Sequence, residues 1–240
     1  MQMTGNGHAP GFRRRLRVTP APGSVVSEVE DDFHRMSVTV GHDGATALAV
    51  NAILARAPWS TCPEAVTQCE ETFTGVASAD FPGKREKARN CTHLYDLALL
   101  AAAHAHDKAA LVYDIYVSDP VEGKRHAELW RDGGCVLEWW DRDFHIVEPA
   151  ALAGMKLIDM RSWIETLDPV QQEAGRILQW ASIVAHGRII PLDQQSDATR
   201  MPPSCYSFQP EQAVRAQRIG HTRDFSGGTV QPLEFHEETV

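Results

Sequence analysis

Leu111-Val112-Tyr113-Asp114-Ile115-Tyr116-Val117-Ser118 decides the fold class. The stretch is rich in β-branched and aromatic residues and follows a period of two, so it reads as a strand. Asp119-Pro120-Val121-Glu122-Gly123 is a turn by composition. Residues 125–131 return as a second strand. Asp132-Gly133-Gly134 turns the chain again, residues 135–140 make a third strand, and 144–147 make a short fourth. Strands joined by such short turns pair antiparallel, so this stretch predicts a meander.

Upstream the same logic holds. Residues 12–19 and 25–30 read as strands, separated by Pro20-Ala21-Pro22-Gly23. Residues 33–40 alternate apolar and polar, and Gly41-His42-Asp43-Gly44 turns them into a partner strand over 46–55. Helices enter elsewhere. Arg56-Ala57-Pro58-Trp59-Ser60-Thr61-Cys62-Pro63-Glu64 leads into one that runs to about residue 73, with Thr61 and Glu64 at capping-box spacing. Asn90-Cys91-Thr92-His93-Leu94-Tyr95-Asp96-Leu97 opens a second, with Asn90 as N-cap and Leu94, Leu97, Ala98 and Ala101 on a buried face. Helices follow over 157–167 and, behind the Asp168-Pro169 start, over 170–186, stopped at Gly187. Residues 194–207 read as a loop and 211–219 as a short helix. The reading is α+β, an antiparallel meander sheet with helices segregated to one side. Residues 1–11 read as a disordered N-terminus, 12–220 as a single α+β domain and 221–240 as a tail.

The chain has 240 residues and a formal net charge of −9. An acidic chain without a clustered basic face argues against nucleic acid as partner. The run Arg13-Arg14-Arg15-Leu16-Arg17 reads as a solvated strand edge, the alternative being a phosphate site. No apolar run reaches membrane-spanning length. With no apolar signal core at the N-terminus, the expectation is a cytoplasmic protein. Its five cysteines include no CxxC pair, so they read as thiols. No glycine-rich phosphate loop, GxSxG elbow or HExxH is present, which removes several enzyme classes in their usual form.

The chemistry-bearing residues gather at the two helix starts. Cys91 and His93 fall in a first turn, where free N–H groups and the helix dipole favour negative charge. A thiol placed there can have a lowered pKa. Cys91 reads as a nucleophile or a metal ligand, or else as a buried small thiol. Cys62 has the same placement. His34 falls on an apolar strand face, as a proton-transfer group or a core histidine. Arg56 reads as an anchor for a substrate carboxylate, or as a structural partner of a protein carboxylate. Trp139 and Trp140 point to opposite sides of their strand, and one of them can line an apolar pocket. The long segment from Asp193 to Tyr206 has the character of a lid or subunit contact.

Three of these segments carry a resemblance. His34-Arg35-Met36, Arg56-Ala57-Pro58-Trp59-Ser60-Thr61-Cys62-Pro63 and Cys91-Thr92-His93-Leu94 resemble motifs of a bacterial family catalogued as domain of unknown function 2889. Asn90 stands where the family's Gly-Cys-Thr-His-Leu motif has glycine. The resemblance covers about residues 12 to 190. It marks positions and implies no reaction.

The expectation is therefore a cofactor-independent enzyme acting on an apolar or aromatic small molecule, of lyase, hydratase or hydrolase type. Its candidate catalytic residues are Cys91, His93, His34 and Arg56. One rival is a zinc or iron site built from Cys62, Cys91 and His93. Another is a non-catalytic binding or assembly protein, in which a homo-oligomer is allowed.

Overall fold

A computed structural model describes residues 9–219 and 222–234. Of the expected disordered N-terminus over residues 1–11, residues 1–8 lie outside them, as do 221 and 235–240 of the expected tail, while Gly11 already belongs to the first strand. The fold is α+β, as the alternation predicted. Its strands are β1 (Gly11–Ala21), β2 (Ser24–Glu30), β3 (Arg35–His42), β4 (Ala47–Arg56), β5 (Leu111–Ser118), β6 (Lys124–Arg131), β7 (Gly134–Arg142) and β8 (His145–Glu148). The helices are α1 (Ala65–Phe73), α2 (Thr92–Ala103), α3 (Arg161–Ile164), α4 (Pro169–Ala185) and α5 (Pro210–Ala213), joined by short 3-10 turns. The sheet has the order β4-β3-β2-β1-β5-β6-β7-β8. The chain forms two compact units.

The first unit holds residues up to 15, 112–190 and 224–234. Strands β5 to β8 form an antiparallel meander. Its β6–β7 turn is set by Asp132 and Gly133, both at positive φ, between the paired Arg131 and Gly134. That is the two-residue turn whose twist matches a hairpin. Helix α4 packs over β6 and β7. It begins on Asp168, whose carboxylate accepts from the Val170 and Gln171 N–H groups. Its buried face is Ala174, Leu178, Ala181 and Ala185. A Cβ on Gly175 would lie 3.1 Å from the Ile164 side chain, so glycine lets α3 approach. Trp139 is buried edge-on to Trp163, and Trp140 is partly exposed, as opposite strand faces require.

The second unit holds residues 16–111 and 191–223. Helix α2 packs on β2 and β3, pinned by Ser27 Oγ donating to the Leu97 carbonyl at 2.6 Å. Helix α1 packs on β4. Phe73 lies between Phe81 and Tyr95, with ring centroids 4.4 and 5.0 Å away. The expected Asn90 cap is replaced: Cys91 is the N-cap of α2. Asn90 is buried, donating to Thr72 Oγ1 and the Glu86 carbonyl. The capping box at Thr61 is also absent, because the Glu64 carboxylate bonds Arg215 instead.

The arginine run corrects another expectation. Strand β1 lies between β2 and β5, not at an edge. Arg13 and Arg14 are buried. Arg15 pairs with Asp114 at 2.6 Å and Arg17 with Glu28 at 2.9 Å. An interior strand tolerates such charges because each long side chain reaches a carboxylate or an aromatic ring, as Arg13 does over Tyr116.

Candidate functional site

The candidate site lies in the second unit and begins with a turn. The sequence alternation placed Phe33 and His34 on a strand, but β2 ends at Glu30 and β3 begins at Arg35. Asp31-Asp32-Phe33-His34 is the connection. The Asp31 N–H donates to the His34 carbonyl at 2.9 Å. Asp31 Oδ1 accepts from the Phe33 and His34 N–H groups at 2.7 and 2.8 Å. This is aspartate's usual turn chemistry, a side chain satisfying the backbone just after it.

The same carboxylate faces the His34 ring, with Nδ1 at 3.0 and 3.2 Å from its two oxygens. An ionised carboxylate only accepts, so Nδ1 carries the hydrogen. Nε2 is then the basic nitrogen of the neutral ring. Both residues are buried. The His93 ring, half-buried in the first turn of α2, lies against His34 with centroids 3.9 Å apart and planes tilted by 30°. Asp31, His34 and His93 each offer an atom within 4.8 Å of the others. The arrangement places two acid–base groups side by side, and its donor set also suits a transition-metal ion.

Arg56 is at the site, but its contacts are with protein. Its Nη2 reaches the Asp31 carbonyl at 2.6 Å, Glu30 Oε1 at 3.2 Å and the His34 carbonyl at 3.3 Å. It braces the turn that carries His34. Glu30, also buried, collects Arg35 at 2.6 Å and Arg223 at 3.6 Å as well. Sequence reading missed Asp31 and Glu30. An aspartate three residues before a histidine, at an Asx-turn spacing, was the available signal.

The thiols behave differently from their placement at helix starts. The His93 and Leu94 N–H groups do lower the Cys91 pKa, as the dipole argument expects, but burial outweighs them and pushes the thiol well up. Its Sγ lies 4.0 Å from Met36 Sδ. Burial also pushes up Cys62, which Ser207 Oγ approaches at 3.3 Å. Cys69 is pushed up to about 12 and Cys205 to about 11. A buried thiol is a poor nucleophile because the reactive species is the thiolate. Neither Cys62 nor Cys91 belongs to the group that meets at His93.

Labelling of the native protein with a disulfide reagent at pH 8 is therefore expected to find one fast thiol, the exposed Cys135. All five should react once the chain is unfolded. A fast thiol that survives Cys135→Ser would contradict the burial argument.

Among the described residues one further cluster stands in the first unit. His126 Nε2 lies 3.3 Å from Glu138 Oε2, with Glu128 beside them and the Trp140 ring stacked on the imidazole at 4.5 Å.

Fold and site together define an α+β protein with a buried aspartate–histidine pair facing a second histidine. No family model matches the chain, and no curated protein matches it. Among the described residues, no helix is long and apolar enough to cross a membrane.

Proposed function

We propose that the protein is an enzyme that moves protons on a small organic substrate through the His34–His93 pair, without a nucleotide cofactor. The observation that supports this reading is the His34 ring held by Asp31 through Nδ1 and faced by His93 at 3.9 Å. Asp31 keeps His34 Nε2 available as a base and stabilises the imidazolium that forms when it takes a proton. With one ring neutral and the other protonated, the pair carries both functions that acid–base chemistry needs. A neutral ring can then accept a substrate proton while the charged ring donates its own to a leaving group or a carbonyl. The pair ends with the charge it began with. Elimination, hydration and hydrolysis all use such an exchange. The raised thiols leave the imidazoles as the reactive groups, with Arg56 bracing the turn.

The test needs no known substrate. A bacterial metabolite extract is incubated in D2O with the protein, and mass spectrometry seeks metabolites that change mass or disappear. At least one is expected. Its conversion should fall roughly a hundredfold or more in both His34→Gln and His93→Gln, within the usual range for acid–base groups. Full conversion by both variants, or no metabolite changed by the wild-type protein, would rule this reading out.

A second reading has His34, His93 and Asp31 hold zinc or iron, supported by the three converging groups. About one ion per chain in untagged protein, lost in both histidine variants, would favour it.

A further inference from the structure

Arg218 is the feature the proposed chemistry leaves unused. Its backbone is fixed by pairing of residues 217–219 with 58–60. Ser60 N–H donates to the Gln217 carbonyl at 2.9 Å and Ile219 N–H to the Pro58 carbonyl at 2.8 Å. The guanidinium carbon lies 5.5 Å from the Phe33 ring centroid and 5.5 Å from that of Trp59. Phe33 is the turn residue next to His34, and those two rings meet edge to face at 6.2 Å. Arg218 therefore shares the Phe33 ring with the candidate catalytic histidine. Phe208 meets Trp59 edge-on at 5.7 Å and extends the apolar wall.

Among the described residues the charge of Arg218 is unmatched. Every other arginine of this unit that is at least half-buried reaches a carboxylate: Arg17 reaches Glu28, and Arg35, Arg56 and Arg223 reach Glu30. Among the described residues no carboxylate pairs with Arg218, and its buried Nε has no hydrogen-bond partner. Burial holds its pKa below the ordinary arginine value. The one influence in the other direction is the Cys62 thiol, which burial keeps protonated. A partly buried cation without a counter-ion is costly. Aromatic rings lie against the flat guanidinium of this half-buried side chain, and its edge carries N–H donors in the plane of the group. That edge matches the two oxygens of a carboxylate.

We propose that Arg218 is the anion anchor of the site, and that the substrate is a small carboxylate with an apolar or aromatic body packed on Phe33, Trp59 and Phe208. This rests on the acid–base reading for what happens to the substrate, but not for its binding. A single cation with aromatic neighbours suits a monoanion better than a phosphate dianion. It takes the role that Arg56, held by the turn, cannot take.

The test uses benzoate and phenylacetate, with benzamide and phenylacetamide as neutral isosteres, followed by ligand-observed NMR and calorimetry. At least one carboxylate is expected to bind at about millimolar concentration or better. Its amide should bind at least tenfold more weakly. Arg218→Met keeps the apolar stem and should weaken the carboxylate at least tenfold, and Arg218→Lys by less. Circular dichroism and an unchanged unfolding midpoint exclude loss of fold, and Arg218→Lys provides the reading if Arg218→Met misfolds. Equal binding of acid and amide, no carboxylate binding, or affinity unchanged in both variants overturns the anchor. If His34→Gln abolishes turnover in D2O while Arg218→Met leaves carboxylate affinity intact, the anchor fails and the acid–base reading stands. Binding lost in Arg218→Met with no D2O turnover by the wild-type protein gives the reverse.

Discussion

Asp31→Ala is expected to lower the free energy of unfolding by about 3–5 kcal/mol. The carboxylate is fully buried and satisfies three donors at once: the Phe33 and His34 N–H groups and His34 Nδ1. Each bond to a charged acceptor contributes about 1.5–3 kcal/mol, and the three are not additive because they share one acceptor. Alanine leaves buried donors without their acceptor in a connection only four residues long. Asp31→Asn separates charge from shape. Its carbonyl oxygen can still accept from the two backbone groups, so the loss should be nearer 1–2 kcal/mol. In the alanine variant His34 loses the group that fixes its tautomer, which nitrogen NMR of the ring reads directly, whereas asparagine keeps an oxygen within reach of Nδ1. Urea denaturation measures the stability change, with the slope unchanged if the unfolded state is unaffected. A loss below about 1 kcal/mol for alanine would mean that water replaces the carboxylate, and that the turn is not held as described.

The strands were legible because their pattern is local. β5 over Leu111–Ser118 coincides with its period-two stretch, and the Asp132-Gly133 turn was marked by residues that tolerate positive φ. α4 was equally plain, from its Asp168-Pro169 start to its end at Ala185. Where the reading slipped, two local rules competed. Phe33 and His34 continue the alternation of β3, but Asp31 offers their N–H groups a nearer acceptor, and the turn wins. At Cys91 the helix-start rule was right in sign and too small in size: the N–H groups lower the pKa, and desolvation raises it further. Periodicity and capping say nothing of how deep a helix start will be buried.

Convergence was the larger gap. His34 and His93 are far apart in sequence, and nothing local shows that α2 would pack on β3 with its first turn over the β2–β3 connection. The segments around His34, Arg56 and His93 were singled out separately. Their meeting depends on sheet register, which pairs Glu30 with Arg35 and Arg35 with Arg56. Arg218 was invisible for the same reason. Its aromatic partners Phe33 and Trp59 are remote in sequence, and a lone arginine near the C-terminus carries no pattern. What marks it is being half-buried against aromatic rings without a carboxylate among the described residues, a property of the folded chain.

Glu30→Ala is expected to be the other large loss, again about 3–5 kcal/mol, because removing one member of a buried charge cluster leaves the rest uncompensated. Glu30 is 2% exposed and is the carboxylate on which Arg35, Arg56 and Arg223 converge. Arg35 and Arg56 are cross-strand neighbours in β3 and β4, and like charges directly opposite repel. Glu30 turns that repulsion into a bridge across the ends of β2, β3 and β4. Through Arg56 Nη2 the bridge extends to the Asp31 and His34 carbonyls. The sign of the effect can be tested further. Glu30→Gln keeps the shape and removes the charge, so it should lose more stability than its one-atom change suggests. Adding Arg56→Met to Glu30→Ala should restore part of the loss, because it removes a stranded cation together with the repulsion. Urea unfolding of the two single variants and the double variant supplies the cycle. If the losses of the two single variants simply added in the double variant, Arg56 would be held by the two carbonyls and not by Glu30. The His34 turn would then depend on hydrogen bonds to neutral acceptors alone.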